Sequence, residues 1–178
     1  MSIFDIVKTL EQYSGAGAAN PSANVHQDFD QVAQSAPQPQ LAAGLSEAFR
    51  SGQTPPFGQM LGTLFSQSNG QQQAGILNRL LGSLGPAAAG AGALGGLSSV
   101  LGGGAGLSSI LGGATQVTPQ QAQQVSPEAV QQLAEHAQQN NPSIVDEAGS
   151  FYAQHPSLVK ALGAGSLAMI MSHMSSNQ

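Results

Sequence analysis

The sequence predicts an all-α protein, built as small helical bundles with a central glycine-rich, apolar, uncharged segment that forms short broken helices. Two observations predict this class. Apolar residues recur three and four positions apart in successive stretches of the 178-residue chain, which is the spacing of one face of an α-helix. Several stretches also begin at a Thr, Ser or Asn followed by Pro, a pairing that favours the first turn of a helix.

Glycine and proline divide the chain into four expected segments. Residues 1–20 form an N-terminal amphipathic helix and residues 21–85 a helical domain. Residues 86–115 are a glycine-rich segment of low complexity, and residues 116–178 form a C-terminal helical domain. The boundaries are predicted where Gly and Pro end the helical spacing of apolar residues.

The N-terminal helix has one apolar face and few basic residues. Helices that lie on a membrane surface usually carry many Lys or Arg on the polar face, whereas Lys8 is the only basic residue in this stretch. We therefore expect the helix to dock onto the protein's own core. The residues of the apolar face are Ile3, Ile6, Val7, Leu10 and Tyr13.

Four apolar faces follow between residues 21 and 85, and we expect them to bury one small core together with the N-terminal helix. Thr54, before Pro55 and Pro56, is expected to act as the N-cap of the third of these four helices. The faces are Val25, Phe29 and Val32; Leu41, Leu45, Ala48 and Phe49; Phe57, Met60, Leu61, Leu64 and Phe65; and Ile76, Leu77, Leu80, Leu81 and Leu84.

The C-terminal segment repeats the pattern of a capping residue followed by proline. Helices are expected after Thr118-Pro119, Ser126-Pro127 and Asn141-Pro142, with apolar faces at residues 130–137 and 144–152. His155-Pro156 ends the third of these helices. The last helix, residues 157–174, is apolar nearly all round from Ala161 to Met171, which predicts burial at a helix interface, and this run is too short to span a bilayer.

The glycine-rich segment contains a repeat of ten residues. Residues 96–113 read GLSSVLGGGAGLSSILGG, with Val100 matched by Ile110 and no charged residue. In one straight helix the two apolar triplets would lie about 80° apart, so a hairpin broken at residues 102–104 fits better. We predict that the triplets are the association site of the protein: Leu97, Val100, Leu101, Leu107, Ile110 and Leu111.

The surface that covers these triplets stays open at this point. Each glycine costs a helix about 1 kcal/mol relative to alanine, so helices here need a partner surface for stability. That surface is the rest of the same chain, a second chain or lipid. Two other interpretations also remain, namely a flexible linker and a β-strand, because the segment is rich in Gly and contains an alternating stretch at residues 97–101.

Composition excludes several classes of function. Only 7% of the residues are charged, against about 25% in a typical protein, and four Lys and Arg cannot form the basic patch that nucleic acid requires. The chain has no Cys, and its four His lie in separate segments without a HExxH, GxSxG or P-loop motif. We therefore expect a non-enzymatic protein with no catalytic, cofactor-binding or metal-binding residues. A small-molecule ligand is neither indicated nor excluded.

The acidic residues are expected to have structural roles. His26, Asp28 and Asp30 in the stretch HQDFD could present metal-binding atoms, but only His26 and Asp30 share a helix face. No third ligand for that face lies nearby in sequence, which favours an ordinary helix surface. Glu128 and the pair at residues 146–147 are placed to stabilise the first turns of their helices through the helix dipole.

Four stretches resemble a known family. The opening MSIFDIV, the blocks LLGSLG and LGGLSSVLGG, and LAEHAQQNNPSIVDEAGS are similar to the YidB-like bacterial proteins, in which Leu-Ala-Glu is followed by Pro-x-x-Ile/Val-Asp. Here the matching positions are residues 133–135, Pro142, Val145 and Asp146, with extra residues between the two parts of the motif. The resemblance implies a bacterial origin and a helical fold, and it implies no activity or site.

These observations predict a structural or interaction protein that self-associates through its glycine-rich segment, so the expected partner is a second copy in a homo-oligomer. The alternative is a membrane-associated protein that uses the same segment as a lipid-facing hairpin. The N-terminus has no basic region before an apolar run, as a secretory signal has, so a cytoplasmic location is expected, with membrane association as the alternative.

Overall fold

The described part of the chain is all-α, which confirms the predicted fold class. A computed structural model of the protein describes residues 23–84 and 116–176, together with Phe4, Lys8, Thr9, Glu11 and Tyr13. Within these residues the regular elements are helices α1 (Val25–Ser35), α2 (Gln38–Arg50), α3 (Phe57–Gln67), α4 (Gly70–Ser83), α5 (Pro119–Ala122), α6 (Pro127–Asn140), α7 (Ile144–Ala153), α8 (Pro156–Val159) and α9 (Ala164–Ser176), with a 3-10 turn at Lys160–Leu162 between the last two.

The helices group into two compact units. Unit 1 comprises the chain up to Pro56 and from Val145 onward, and unit 2 comprises Phe57–Ile144. This grouping differs from the four segments expected from the sequence, and the prediction that the first five helices share one core is wrong. The physical reason is that capping residues and apolar periodicity specify where a helix begins and ends, whereas long-range packing decides which helices pair.

Each unit has its own apolar core. The predicted apolar faces are buried almost completely, with Leu81, Leu84 and Phe151 half-buried at their margins. The core residues of unit 1 are Tyr13, Val25, Phe29, Val32, Leu41, Leu45, Ala48, Phe49, Val145, Ala148, Tyr152, Ala153, Val159, Leu167, Ala168, Met169, Ile170, Met171 and Met174. The core residues of unit 2 are Phe57, Met60, Leu61, Leu64, Phe65, Ala74, Ile76, Leu77, Leu80, Val117, Ala122, Val125, Val130, Leu133, Ala134, Ala137 and Ile144.

In unit 1, the apolar helix α9 packs against α2 and α1. Its residues 167–171 are all buried, as the all-round apolar pattern predicts. The prediction of one continuous helix over residues 157–174 is wrong, because the chain turns at Gly163, which has φ +86°. That left-handed conformation suits glycine and stops the helix, so α8 and the 3-10 turn precede α9 as separate elements.

In unit 2, α3 packs closely against α6 through two glycines. A Cβ atom at Gly58 would lie 2.7 Å from the carbonyl oxygen of Gln131, and one at Gly62 would lie 2.7 Å from Cγ of the same residue. No side chain fits between the two helices at these positions. Helix α4 packs against α5 and α6 and completes the unit.

Capping residues begin three helices, and the sequence predicted two of these caps, Thr118 and Ser126. Asn69 and Thr118 each form a capping box with a Gln three residues later, and Ser126 accepts a hydrogen bond from the backbone N–H of Ala129. The N-cap predicted at Thr54 is wrong. Its hydroxyl donates to the carbonyl oxygens of Ala48 at 2.5 Å and Ser51 at 3.0 Å, so it satisfies the end of α2 instead.

Among the described residues of the N-terminal segment, Tyr13 is anchored in unit 1. Tyr13 is only 1% exposed, and its hydroxyl donates to Asp28 Oδ2 at 2.5 Å. Phe4, in contrast, is 83% exposed. Tyr13 thus docks into unit 1 as expected, whereas Ile3, Ile6, Val7 and Leu10 lie outside the described residues.

Candidate functional site

In the sequence, the predicted association site falls between two described helices of unit 2. All six of its residues, Leu97 to Leu111, fall within residues 85–115 and are outside the described residues. The structure does describe both places where the chain enters and leaves this segment. Helix α4 ends at Ser83, and α5 begins at Pro119.

The side-chain amide of Asn78 joins these two places by pairing with the backbone of Val117, and we call this pairing the clamp. The backbone N–H of Val117 donates to Oδ1 of Asn78 at 2.6 Å, and Nδ2 of Asn78 donates to the carbonyl oxygen of Val117 at 3.2 Å. Both backbone groups of Val117 are thus paired with one side chain 39 positions earlier. Val117 itself is 4% exposed, so its polar groups need this pairing.

Helix α5 continues the clamp along α4. A Cβ atom at Gly70 would meet the side chain of Gln123 and would lie 3.2 Å from the carbonyl oxygen of Pro119. The capping box of Thr118 fixes the first turn of α5 at the same place. The start of α5 is therefore seated on α4 by backbone contact and by hydrogen bonds.

Replacing Asn78 with alanine is expected to lower the free energy of unfolding by about 2 kcal/mol, because it leaves the buried N–H of Val117 without its acceptor. Replacing Asn78 with aspartate keeps that acceptor but turns a carboxylate oxygen toward the carbonyl oxygen of Val117 in place of the donor, so this variant should also be less stable than the wild type. Urea denaturation followed by circular dichroism measures both. Equal stability of the alanine variant and the wild type would contradict the clamp.

A half-open surface cleft of about 280 Å³ lies in unit 1, between α2, α9 and the start of α7. Arg50 lies beside both acidic residues of its lining. Nη2 of Arg50 lies 2.7 Å from Oδ2 of Asp146, and Nη1 lies 3.8 Å from Oε1 of Glu47. The Arg50 and Asp146 side chains are 40% and 54% exposed, so the pair contributes at most about 1 kcal/mol. Paired in this way, Arg50 serves the packing of α2 beside α7.

The other acidic residues also have structural roles. Asp28 accepts the hydroxyl of Tyr13, and Asp30 pairs with Lys160 at 3.0 Å, so both carboxylates of the HQDFD stretch lie on α1 with partners in unit 1. Glu128 lies in the first turn of α6, and residues 146–147 lie in the first turn of α7, as predicted. Across the described residues, no three side chains are grouped as metal ligands.

Two further findings concern the class of the protein. Among the helices of residues 23–84 and 116–176, none combines the length and the hydrophobicity of a bilayer-spanning helix. Comparison of the chain with protein-family models, with curated proteins and with solved structures finds no match. The similarity to the YidB-like proteins stays a prediction.

Proposed function

We propose that this protein is a non-enzymatic structural or interaction protein that self-associates through its glycine-rich apolar segment, residues 86–115. The partner is a second copy of the same chain. The proposal rests on the sequence of the segment and on the way in which unit 2 holds its two ends.

The clamp between Asn78 and Val117 is the observation that carries the proposal. Asn78 is six residues before Leu84, a rise of about 9 Å along a helix. The chain therefore leaves α4 about 1.7 turns beyond Asn78, the residue that holds the returning chain at Val117. Unit 2 thus holds the two ends of the segment close together, which supports treating residues 86–115 as one inserted unit.

The composition of the segment favours a second copy of the same chain as its partner. No charge lies between Leu80 and Ala114, so electrostatics cannot recruit a charged partner there. Six large aliphatic side chains, each contributing about 2 kcal/mol when buried, supply the driving force, and the small residues between them allow close approach of backbones. An identical segment on a second copy offers a surface of matching chemistry.

The test places lysine at Leu101 and Leu111 in one variant. An unpaired charge in close-packed apolar surface costs several kcal/mol, so the double variant should sediment as a smaller particle than the wild type. A matched control places lysine at Ser98 and Ser108, which adds the same charges to polar positions of the same repeat. The control should keep the mass of the wild type.

The outcomes of this test separate the alternatives. Equal mass and equal melting of both variants and the wild type would contradict association through the triplets and would favour a linker. Loss of the folded state in the double variant alone would show that the triplets pack within their own chain. Recovery of the wild type in a carbonate-resistant membrane pellet would favour the lipid-facing hairpin instead.

A further inference from the structure

The two halves of the chain, before and after the glycine-rich segment, each contribute helices to both units. The first half is defined as the described residues up to Leu84, and the second half as residues 116–176. Unit 1 takes α1 and α2 from the first half and α7 (from Val145), α8 and α9 from the second. Unit 2 takes α3 and α4 from the first half and α5 and α6 from the second.

The principal helix pairs in both units join one half to the other. In unit 2 these pairs are α3 with α6, α4 with α5 and α4 with α6; in unit 1 they are α9 with α2 and α9 with α1. The long-range ion pairs do the same, because Arg50 and Asp30 belong to the first half, and Asp146 and Lys160 to the second. Each half therefore buries its apolar faces mainly against the other half.

The two units also share one detail of packing, with the halves in opposite roles. In unit 2, a Cβ atom at Gly62 would lie 2.7 Å from Cγ of Gln131 and 3.0 Å from the carbonyl oxygen of Pro127. In unit 1, a Cβ atom at Gly149 would meet the side chain of Ser46 and would lie 2.9 Å from the carbonyl oxygen of Ala42. Each glycine thus contacts one side chain of the facing helix and the backbone carbonyl oxygen of the residue four positions before that side chain.

The sequences around these glycines match as well. Residues 57–65 and 144–152 carry apolar residues at the same distances from the glycine: Phe57 and Ile144, Leu61 and Ala148, Leu64 and Phe151, and Phe65 and Tyr152. In unit 2 the glycine belongs to the first half and its seat to the second. In unit 1 the glycine belongs to the second half, and the residues that contact it belong to the first half. Each half therefore supplies one such glycine contact to the other.

We propose that a second copy of this chain is bound by exchange of halves, in which the first half of each copy pairs with the second half of the other. This inference rests on the proposed self-association and names how the second copy is held. The pairing surfaces are those already present within one chain, so an exchanged dimer uses the same helix contacts. The 31 residues between Leu84 and Gln116 span at most roughly 100 Å, so their number permits a half to reach a second copy.

Complementation of two variants tests the exchange. Gly62→Leu damages only the first half, and Gly149→Leu damages only the second half. If the halves exchange, unfolding the two full-length variants together and refolding them joins an unaltered first half of one variant to an unaltered second half of the other. The mixture should then show a melting transition at the wild-type midpoint that neither variant shows alone, and native mass spectrometry with one variant isotopically labelled should show mixed dimers.

A matched control keeps both substitutions in the same half. Gly58→Leu also blocks the packing of α3 on α6, so mixing it with Gly62→Leu gives no unaltered first half and no recovery of the wild-type transition. The alanine variants Gly62→Ala and Gly149→Ala, mixed in the same way, cover the case in which leucine prevents folding in every combination.

The exchange and the proposed function fail in different ways. A melt of the mixture that equals the sum of the separate melts, without mixed dimers, overturns the exchange. If the lysine variant at Leu101 and Leu111 still sediments as a smaller particle, association through the segment stands. Recovery in the mixture together with unchanged mass of the lysine variant supports the exchange and overturns the segment as the association surface.

Discussion

Replacing Gly62 with leucine is expected to lower the free energy of unfolding by about 3 kcal/mol, because the new side chain has no space between α3 and α6. Its Cβ atom alone would lie 2.7 Å from Cγ of Gln131 and 3.0 Å from the carbonyl oxygen of Pro127. The carbonyl belongs to helix backbone and cannot rotate away. Urea denaturation followed by circular dichroism measures the loss.

Gly82 provides the matched control for this substitution. It lies in α4, is exposed, and has no atom within 4 Å of an added Cβ. Leucine there should raise the free energy of unfolding by less than about 1 kcal/mol, because leucine favours a helix more than glycine does. If the two leucine variants have the same stability, the close packing of α3 on α6 is not the contact that holds unit 2 together.

The second large effect is expected from lysine at Ile170. This side chain is completely buried in α9, which packs against α2 and α1, and it contacts the position that a Cβ atom at Gly44 would take. An unpaired charge at that place is expected to cost about 5 kcal/mol, enough to unfold unit 1 in a protein of ordinary stability. Circular dichroism should show a partial loss of helix at neutral pH.

Lysine at Gly165 is the control for that variant. Gly165 lies in the same helix, is exposed and has open space around it. The better helix propensity of lysine offsets its unfavourable charge in the first turn, so stability should change by less than about 1 kcal/mol. A full helix signal with wild-type melting in the Ile170 variant would show that α9 is not the centre of unit 1.

Local features of the sequence predict the helices well. The buried residues of α1, for example, are the three apolar residues at helical spacing, and Ser126 caps α6 as its place before Pro127 indicates. Thr54 shows the limit of local reasoning. A Thr before Pro at a helix boundary suits the next helix as an N-cap and the previous helix as a donor to its last carbonyls, and only the fold selects the second role.

The sequence did not predict which helices pack against each other, for a different reason. Helices α3 and α4 have apolar faces that would fit α1 and α2 as neighbours in sequence, yet α3 packs against α6 and α4 packs against α5 and α6. The glycines of α3 carried the one available signal, since Gly58 and Gly62 are four apart and mark a helix face that backbone can approach. That spacing shows a close contact without naming the partner.

The candidate site was predictable only in part. The repeat of Leu-x-x-Val/Ile-Leu identifies an apolar surface, whereas the clamp that holds its ends depends on Asn78, a polar residue in the middle of a helix. Asparagine is a poor helix former, but its place in α4 does not show that its side chain pairs with a distant partner. The identity of that partner, Val117, follows only from the fold because the two residues are 39 positions apart.

The most direct test of the account is the mass of the unmodified protein in solution. Self-association predicts a particle of at least twice the chain mass of 17.9 kDa in sedimentation equilibrium, with the fraction of the smaller species rising on dilution. A single species of 17.9 kDa at every concentration at which the protein stays dissolved would contradict both the association through residues 86–115 and the exchange of halves.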